Sequence, residues 1–248
     1  IFEPRIALEV MQDYIREGKV TLLMETQLLK VKKEGTLIRS VKLKDTRDGK
    51  SISVSAKQFL DCTYEGDLMA MAHVSYFVGR EDNSVYNETL NGFQLPEYHK
   101  QSGYHQFPDG VSPYKDPGDP SSGLVWGITK NKAQPAGTGD KKVQAYNFRI
   151  CLTDSAENRI PITRPDDYDS TRYELMARLF EGQPNMRSIN QYFIWSLMPN
   201  RKTDINNRGG FSTDIIAMNY NWPEAGYKKR EKMLKEAFSY TKGLLYFM

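Results

Sequence analysis

The 248-residue chain predicts an α/β fold, and three features of its first third carry that prediction. A helical repeat of apolar residues stops at Gly18 and gives way to the apolar run 20–24, so the chain opens as helix, tight turn, strand. From Gln27 to Ala56 the period changes to two, which marks an antiparallel meander with one wet face. Residues 57–61 then read as a strand that breaks at small and polar residues and resumes from Leu68 as a helix. A meander between two such segments is expected to be an insertion between strands of a buried sheet.

The elements follow in order. Pro4 suits a first helical turn, and Ile6, Val10, Met11 and Tyr14 recur behind it at helical spacing. In the meander Leu29, Val31, Ile38, Val41, Leu43, Ile52 and Val54 alternate with Lys, Arg and Ser, while Gly35 and Asp48-Gly49 supply the turns. Residues 74–78 read as a further strand. Residues 96–140 hold much of the Pro and Gly together with His99 and His105, the composition of a functional or mobile loop. Residues 144–152 alternate as a strand with Ala145, Asn147, Arg149 and Cys151 on one face, which is either ligand-lined or the edge of a solvated sheet. Residues 161–165 are a spacer. Thr171-x-x-Glu174 matches a capping box ahead of the stripe Leu175, Met176, Leu179 and Phe180. Asp166, Asp167 and Asp169 fit the positive end of that helix better than a calcium loop. Residues 192–198 read as a buried strand leading into a polar cluster, and Pro223 opens a last helix with Leu234, Phe238, Thr241 and Leu245 on one stripe beside Ala237 and Leu244.

Bulk properties exclude several classes. The 34 basic and 31 acidic residues leave a net charge of +3, and no basic run points to nucleic acid. Cys62 and Cys151 allow at most one disulfide and no cysteine-rich zinc site. No apolar run approaches the ~20 residues of a membrane span. The chain begins at Ile1 without a methionine and stops inside an apolar run, so it is expected to be a piece of a longer protein, and no compartment is assigned. Gly-x-Ser-x-Gly, Walker and His-Glu-x-x-His motifs are missing, and His73, His99 and His105 lack metal-site spacing. Gly137-Thr138-Gly139 has the look of a phosphate loop, but a strand rather than a helix follows it.

Two polar knots remain, 61–67 and 202–214. The first carries Glu65 and Asp67 where a strand ends and a helix begins, the usual ligand-binding position of α/β sheets and a natural anion site. It also reads as an ordinary connection in which Asp67 complements the helix dipole. In the second, Asn206, Asn207, Gly209 and Gly210 permit left-handed geometry that lets amides converge, with Arg201, Lys202 and Arg208 adding charge; a surface turn has the same composition.

These stretches carry a resemblance. Residues 61–70 (Asp-Cys-Thr-Tyr-Glu-Gly-Asp-Leu-Met-Ala), 78–84 with Asn91-Gly92, 202–207, 209–214 and the closing 240–247 resemble the FAD-dependent oxidoreductase family, in its large bacterial branch related to glutathione-reductase-type flavoproteins. The resemblance implies part of a Rossmann-like FAD-binding domain with an inserted antiparallel β meander and a mixed α+β substrate region. The corresponding ranges are 1–73 (meander about 27–56), 74–222, and a helix 223–248 returning to the FAD-binding domain. Residues 59–63 match the family's re-entry strand, usually Asp-Ala-Thr and here Asp61-Cys62-Thr63. Asp61, Cys62, Thr63, Glu65, Gly66 and Asp67 would then contact FAD, while Arg80, Arg149, Lys202, Thr203, Asp204, Asn206 and Asn207 would lie near substrate or cofactor. The implied activity is hydride transfer between a small organic substrate and the flavin N5. The family's opening strand, Gly-x-Gly-x-x-Gly loop and helix have no counterpart here, so the chain is expected to be a fragment, inactive without that segment. The competing expectation is a non-catalytic domain, derived from a flavoprotein, that binds a polar ligand such as a glycan.

Overall fold

The computed structural model describes residues 2–95, 106–186 and 188–248, and the chain divides into two units, Pro4–Phe77 and Ile1–Glu3 with Val78–Met248. His99 and His105 lie outside the described residues. Secondary structure is mixed α/β, with two small antiparallel sheets and four α-helices among the described residues.

In the unit Pro4–Phe77, α1 spans Pro4–Glu17 as the Pro4 start and the apolar repeat predict. It ends at Gly18, whose N–H donates to the Tyr14 carbonyl (2.9 Å), and the left-handed residue after it is Lys19. The meander forms as β1 (Thr26–Glu34), β2 (Leu37–Asp45) and β3 (Ser51–Val54), paired in that order. Both expected turns are present, with Gly35 and Gly49 at positive φ. One detail differs. A bulge between Leu28 and Lys30 places Leu28 opposite Leu43, whose other neighbour is Ile52, and Leu29 falls out of the apolar row. After the meander comes α2, Asp67–Met71.

The strands expected over 20–24, 57–61 and 74–78 do not form. A parallel strand takes its ladder from its neighbours, and no described segment pairs with these three. Their apolar side chains, among them Leu22, Met24, Leu60 and Phe77, are exposed.

The second unit is built around α3 (Glu174–Gly182), β4 (Ile194–Met198), β5 (Lys202–Asn206) and α4 (Tyr227–Phe247). Its core joins Leu175, Met176 and Leu179 of α3 to Phe193, Ile205, Phe211, Ile215, Tyr240 and Leu244. The capping-box expectation is corrected. Asp169 caps a 3₁₀ turn, Ser170–Tyr173, by accepting from the Thr171 N–H (2.9 Å) and hydroxyl (2.7 Å), and Glu174 instead holds Arg178 (2.8 Å). Asp169, a carboxylate two residues earlier, out-competes Thr171 for the free amides.

The last helix keeps part of the predicted face, with Thr241 and Leu244 buried and Ala237 packed on the core, but is turned away from its Leu234 and Phe238. Tyr240, Thr241, Gly243 and Leu244 are buried while Leu234 and Phe238 are exposed. Tyr240 sets this rotation: its ring stacks on Tyr173 and Trp126, and its hydroxyl donates to the Ser212 carbonyl (2.6 Å). A hydroxyl that finds a buried acceptor makes Tyr240 a better core residue than the two apolar side chains on the neighbouring face.

Residues 202–206, expected as part of a polar loop, are a strand. Thr203 and Ile205 point into the unit, and β5 pairs with β4 across a three-residue turn containing Asn200 and Arg201 at positive φ. The expected strand 144–152 is realised only as bridges of Ile150 to Ile205 and Thr153 to Lys202 along the other edge of β5. The loop Gly137–Gly139 is filled by protein. A Cβ at Gly137 would stand 2.1 Å from the Asn83 amide and one at Gly139 would stand 2.6 Å from the Asp82 nitrogen.

Candidate functional site

The two units each carry one of the polar knots, and each is built from its own local chemistry.

In Pro4–Phe77, Asp61 organises the turn into α2. One carboxylate oxygen accepts from the Thr63 N–H (3.0 Å) and hydroxyl (2.6 Å), and the other accepts from the Met69 N–H (2.9 Å). The Thr63 hydroxyl in turn accepts from the Gly66 N–H (2.9 Å). Gly66 sits in the left-handed region (φ 68) as the N-cap of α2, which places Asp67 in the first helical turn. Partial burial opposes the charge on Asp61, but the Thr63 hydroxyl and the amides of Met69, Thr63 and Leu68 hold its carboxyl below the usual range. Cys62, Thr63 and Tyr64 are exposed and Glu65 is half-buried. The N–H groups of Cys62 and Tyr64 have no partner among the described residues.

In the second unit, four of the seven residues expected near substrate or cofactor, Arg149, Asp204, Asn206 and Asn207, gather on one face of the β4–β5 hairpin. Arg149 forms a two-pronged ion pair with Asp204 (Nε to Oδ1 2.9 Å), and the hydrogen bond to Asp204 raises the guanidinium pKa. Two residues along each segment, Asn147 donates to Asn206 Oδ1 (3.1 Å) and to Asp214 Oδ1 (2.9 Å). Asn207 donates to Asp214 Oδ2. Residues i and i+2 of a strand share a face, so Asp204 and Asn206 are gathered with Asn147, Arg149, Asn207 and Asp214. The alternation at 144–152 thus belongs to a polar side-chain array.

Three predicted residues sit differently. Thr203 is buried, bonding Leu152 by accepting from its N–H (3.2 Å). Lys202 is taken by Glu3, a buried carboxylate that also accepts from Asn200. Arg80 bonds Asp140 with both prongs of its guanidinium and lies over the Phe93 ring (5.3 Å), joining the loops around residues 80 and 140. Sequence reasoning missed Glu3 and gave Asp214 no role of its own. Glu3 is 199 residues from Lys202, and no local pattern marks such a partner.

A cavity of about 560 Å³ is lined by Phe148, Leu234, Phe238, Lys242 and neighbours, but by none of the predicted site residues. No group of three or more His, Cys, Asp or Glu among the described residues is arranged to hold a metal. No described helix is long and apolar enough to cross a membrane.

The sequence model of the family described as FAD dependent oxidoreductase matches residues 1–248, the whole chain. The chain belongs to this family. No curated protein and no solved structure matches it. Membership makes the protein a flavin oxidoreductase whose cofactor is FAD. The 61–67 turn fits contact with such a group: it offers the N–H donors of Cys62 and Tyr64 and a preorganised carboxylate, features that suit phosphate and ribose oxygens. No glycine-rich turn running from a strand into a helix is found among the described residues.

Proposed function

We propose that this FAD-dependent oxidoreductase transfers a hydride between a small organic substrate and its flavin. The family match over the entire chain carries the reading. The bound flavin would supply the hydride acceptor at N5. The protein's own contribution is then binding and orientation. Asp61, Cys62, Thr63, Glu65, Gly66 and Asp67 hold the nucleotide, with Asp61 fixing the loop shape so that the Cys62 and Tyr64 amides stay available. Arg149, Asp204, Asn206 and Asn207 orient the substrate on the hairpin face, while Lys202, Thr203 and Arg80 keep that framework rigid.

We further propose that Pro4–Phe77 is part of a Rossmann-like domain carrying the meander as an insertion. The exposed apolar residues Ile6, Val10, Met11 and Tyr14 of α1, and Val20, Leu22, Leu23 and Met24 after it, support this reading, because a Rossmann-like sheet would cover them. On the same ground the chain works as a fragment of a larger bacterial flavoprotein.

The test is spectroscopic. The purified full-length protein that contains this chain, as isolated or after addition of FAD, is expected to show a bound-flavin absorption band. Thr63→Ala and Asp67→Ala should lower flavin occupancy, whereas Asp119→Ala, which removes the cap of a 3₁₀ turn in the other unit, should not. A colourless protein that gains no band with FAD would overturn the reading.

A further inference from the structure

We infer that the substrate of this oxidoreductase is a neutral polyhydroxylated molecule, held by vicinal hydroxyls on the Asn147, Asn206 and Asn207 face; the inference rests on the hairpin face being the substrate side. Hydrogen-bond accounting on that face supplies the chemical class. Asn147 spends both of its amide hydrogens, on Asn206 Oδ1 and Asp214 Oδ1, and keeps its own Oδ1 as an acceptor. Asn206 has only its oxygen engaged, so both of its N–H donors remain. Asn207 gives one hydrogen to Asp214 and keeps one donor and one acceptor. The free valences therefore mix donors and acceptors on three neighbouring planar amides, all half-buried. A hydroxyl is both donor and acceptor, so adjacent hydroxyls satisfy such a set in pairs. A carboxylate or phosphate only accepts and would leave the amide oxygens facing it, and an ammonium only donates.

Charge points the same way. Arg149 is neutralised by Asp204, and Lys202 by Glu3. Asp214 is bonded by two amides. The two ion pairs thus leave neither Arg149 nor Lys202 free to select an anion. The hydrogen-bonded Asn147–Asp214–Asn207 set also holds its amides in one orientation before any ligand arrives, which lowers the entropic cost of binding.

Titration of the purified protein with myo-inositol and methyl α-glucoside, followed by NMR line shifts or calorimetry, tests the inference, with gluconate and cyclohexanol as the charged and singly hydroxylated comparisons. Saturable binding of the two polyols is expected, unchanged between low and high salt, with gluconate no tighter and cyclohexanol not saturating. Asn206→Asp, which replaces donors by acceptors at constant shape, and Asn207→Ala should each weaken polyol binding roughly tenfold, with the circular dichroism spectrum retained. Tighter or salt-dependent binding of gluconate, or variants that bind polyol like the parent, would overturn the inference. Flavin occupancy, read separately by absorption, keeps the two claims apart. Flavin bound with no polyol binding sinks the substrate class and leaves hydride transfer standing. Polyol binding at this face without flavin supports the site and sinks hydride transfer.

Discussion

Asp61 is the residue on which the first knot turns, because one carboxylate accepts bonds from both ends of the segment 63–69. Its folded pKa lies below the ordinary value of about 3.9. The stabilisation it contributes is therefore complete above that value and is lost as pH falls through the folded pKa. Asp61→Asn should cost about 1–2 kcal/mol at pH 7, and less at an acidic pH below the folded pKa, where the parent carboxylate is protonated. Urea unfolding at the two pH values measures this, and an equal difference at both would show that the charge does not matter. Asp61, Thr63 and Gly66 were legible in sequence because their contacts are local: a carboxylate, a hydroxyl and a glycine within six positions write a turn. Lys202 was legible as a cation and misjudged in role, because its partner Glu3 lies at the far end of the chain.

Elements divide by whether their cause is local. The helix α1, the two meander turns and the stripe of α3 follow from spacing alone, and all three form. Helix α4 was expected at the right place with Thr241 and Leu244 on its apolar face, and both are buried, but spacing cannot rank Tyr240 above Phe238 when the deciding acceptor is the Ser212 carbonyl. Gly243 shows the same dependence. In an isolated helix Gly→Ala stabilises by about 1 kcal/mol, but here a Cβ would stand 2.1 Å from the Tyr173 hydroxyl, which donates to the Tyr240 carbonyl (2.9 Å). Gly243→Ala should therefore lower the thermal midpoint, at a cost of roughly 1–3 kcal/mol typical of overpacking. Adding Tyr173→Phe should recover part of the loss by removing the hydroxyl oxygen. A midpoint raised by Gly243→Ala would show that the helix term wins. Strand β5 was hidden because two buried positions, Thr203 and Ile205, are too few to write a period against Lys202, Asp204 and Asn206.

At the scale of the molecule, the distribution of apolar exposure separates the two units. The unit containing Val78–Met248 buries a continuous aromatic and aliphatic core. In Pro4–Phe77 only Val41 and Ala72 are buried among apolar residues, and α1 has no buried residue. Exposed patches of this kind bind hydrophobic probes. Residues 1–248 expressed alone are expected to enhance ANS fluorescence in their native state, and Leu22→Lys with Met24→Lys should reduce that signal without lowering the thermal midpoint. A signal unchanged by the pair, or a midpoint that falls, would show that these side chains are packed in solution.

The sequence by itself determined the meander with its turns and the Asp61–Asp67 turn, because each is written in contiguous residues whose conformational preferences and hydrogen bonds close within a few positions, and it gave the family and its cofactor through motifs that resemble that family's along the chain. Only the tertiary structure decided that Arg149, Asp204, Asn147, Asn206, Asn207 and Asp214 form one array, that Lys202 and Arg80 are held in ion pairs, and that Tyr240 rather than Phe238 of α4 turns inward. Those outcomes depend on partners up to 199 residues away, and a side chain's free donors and acceptors are defined only after its neighbours have taken theirs.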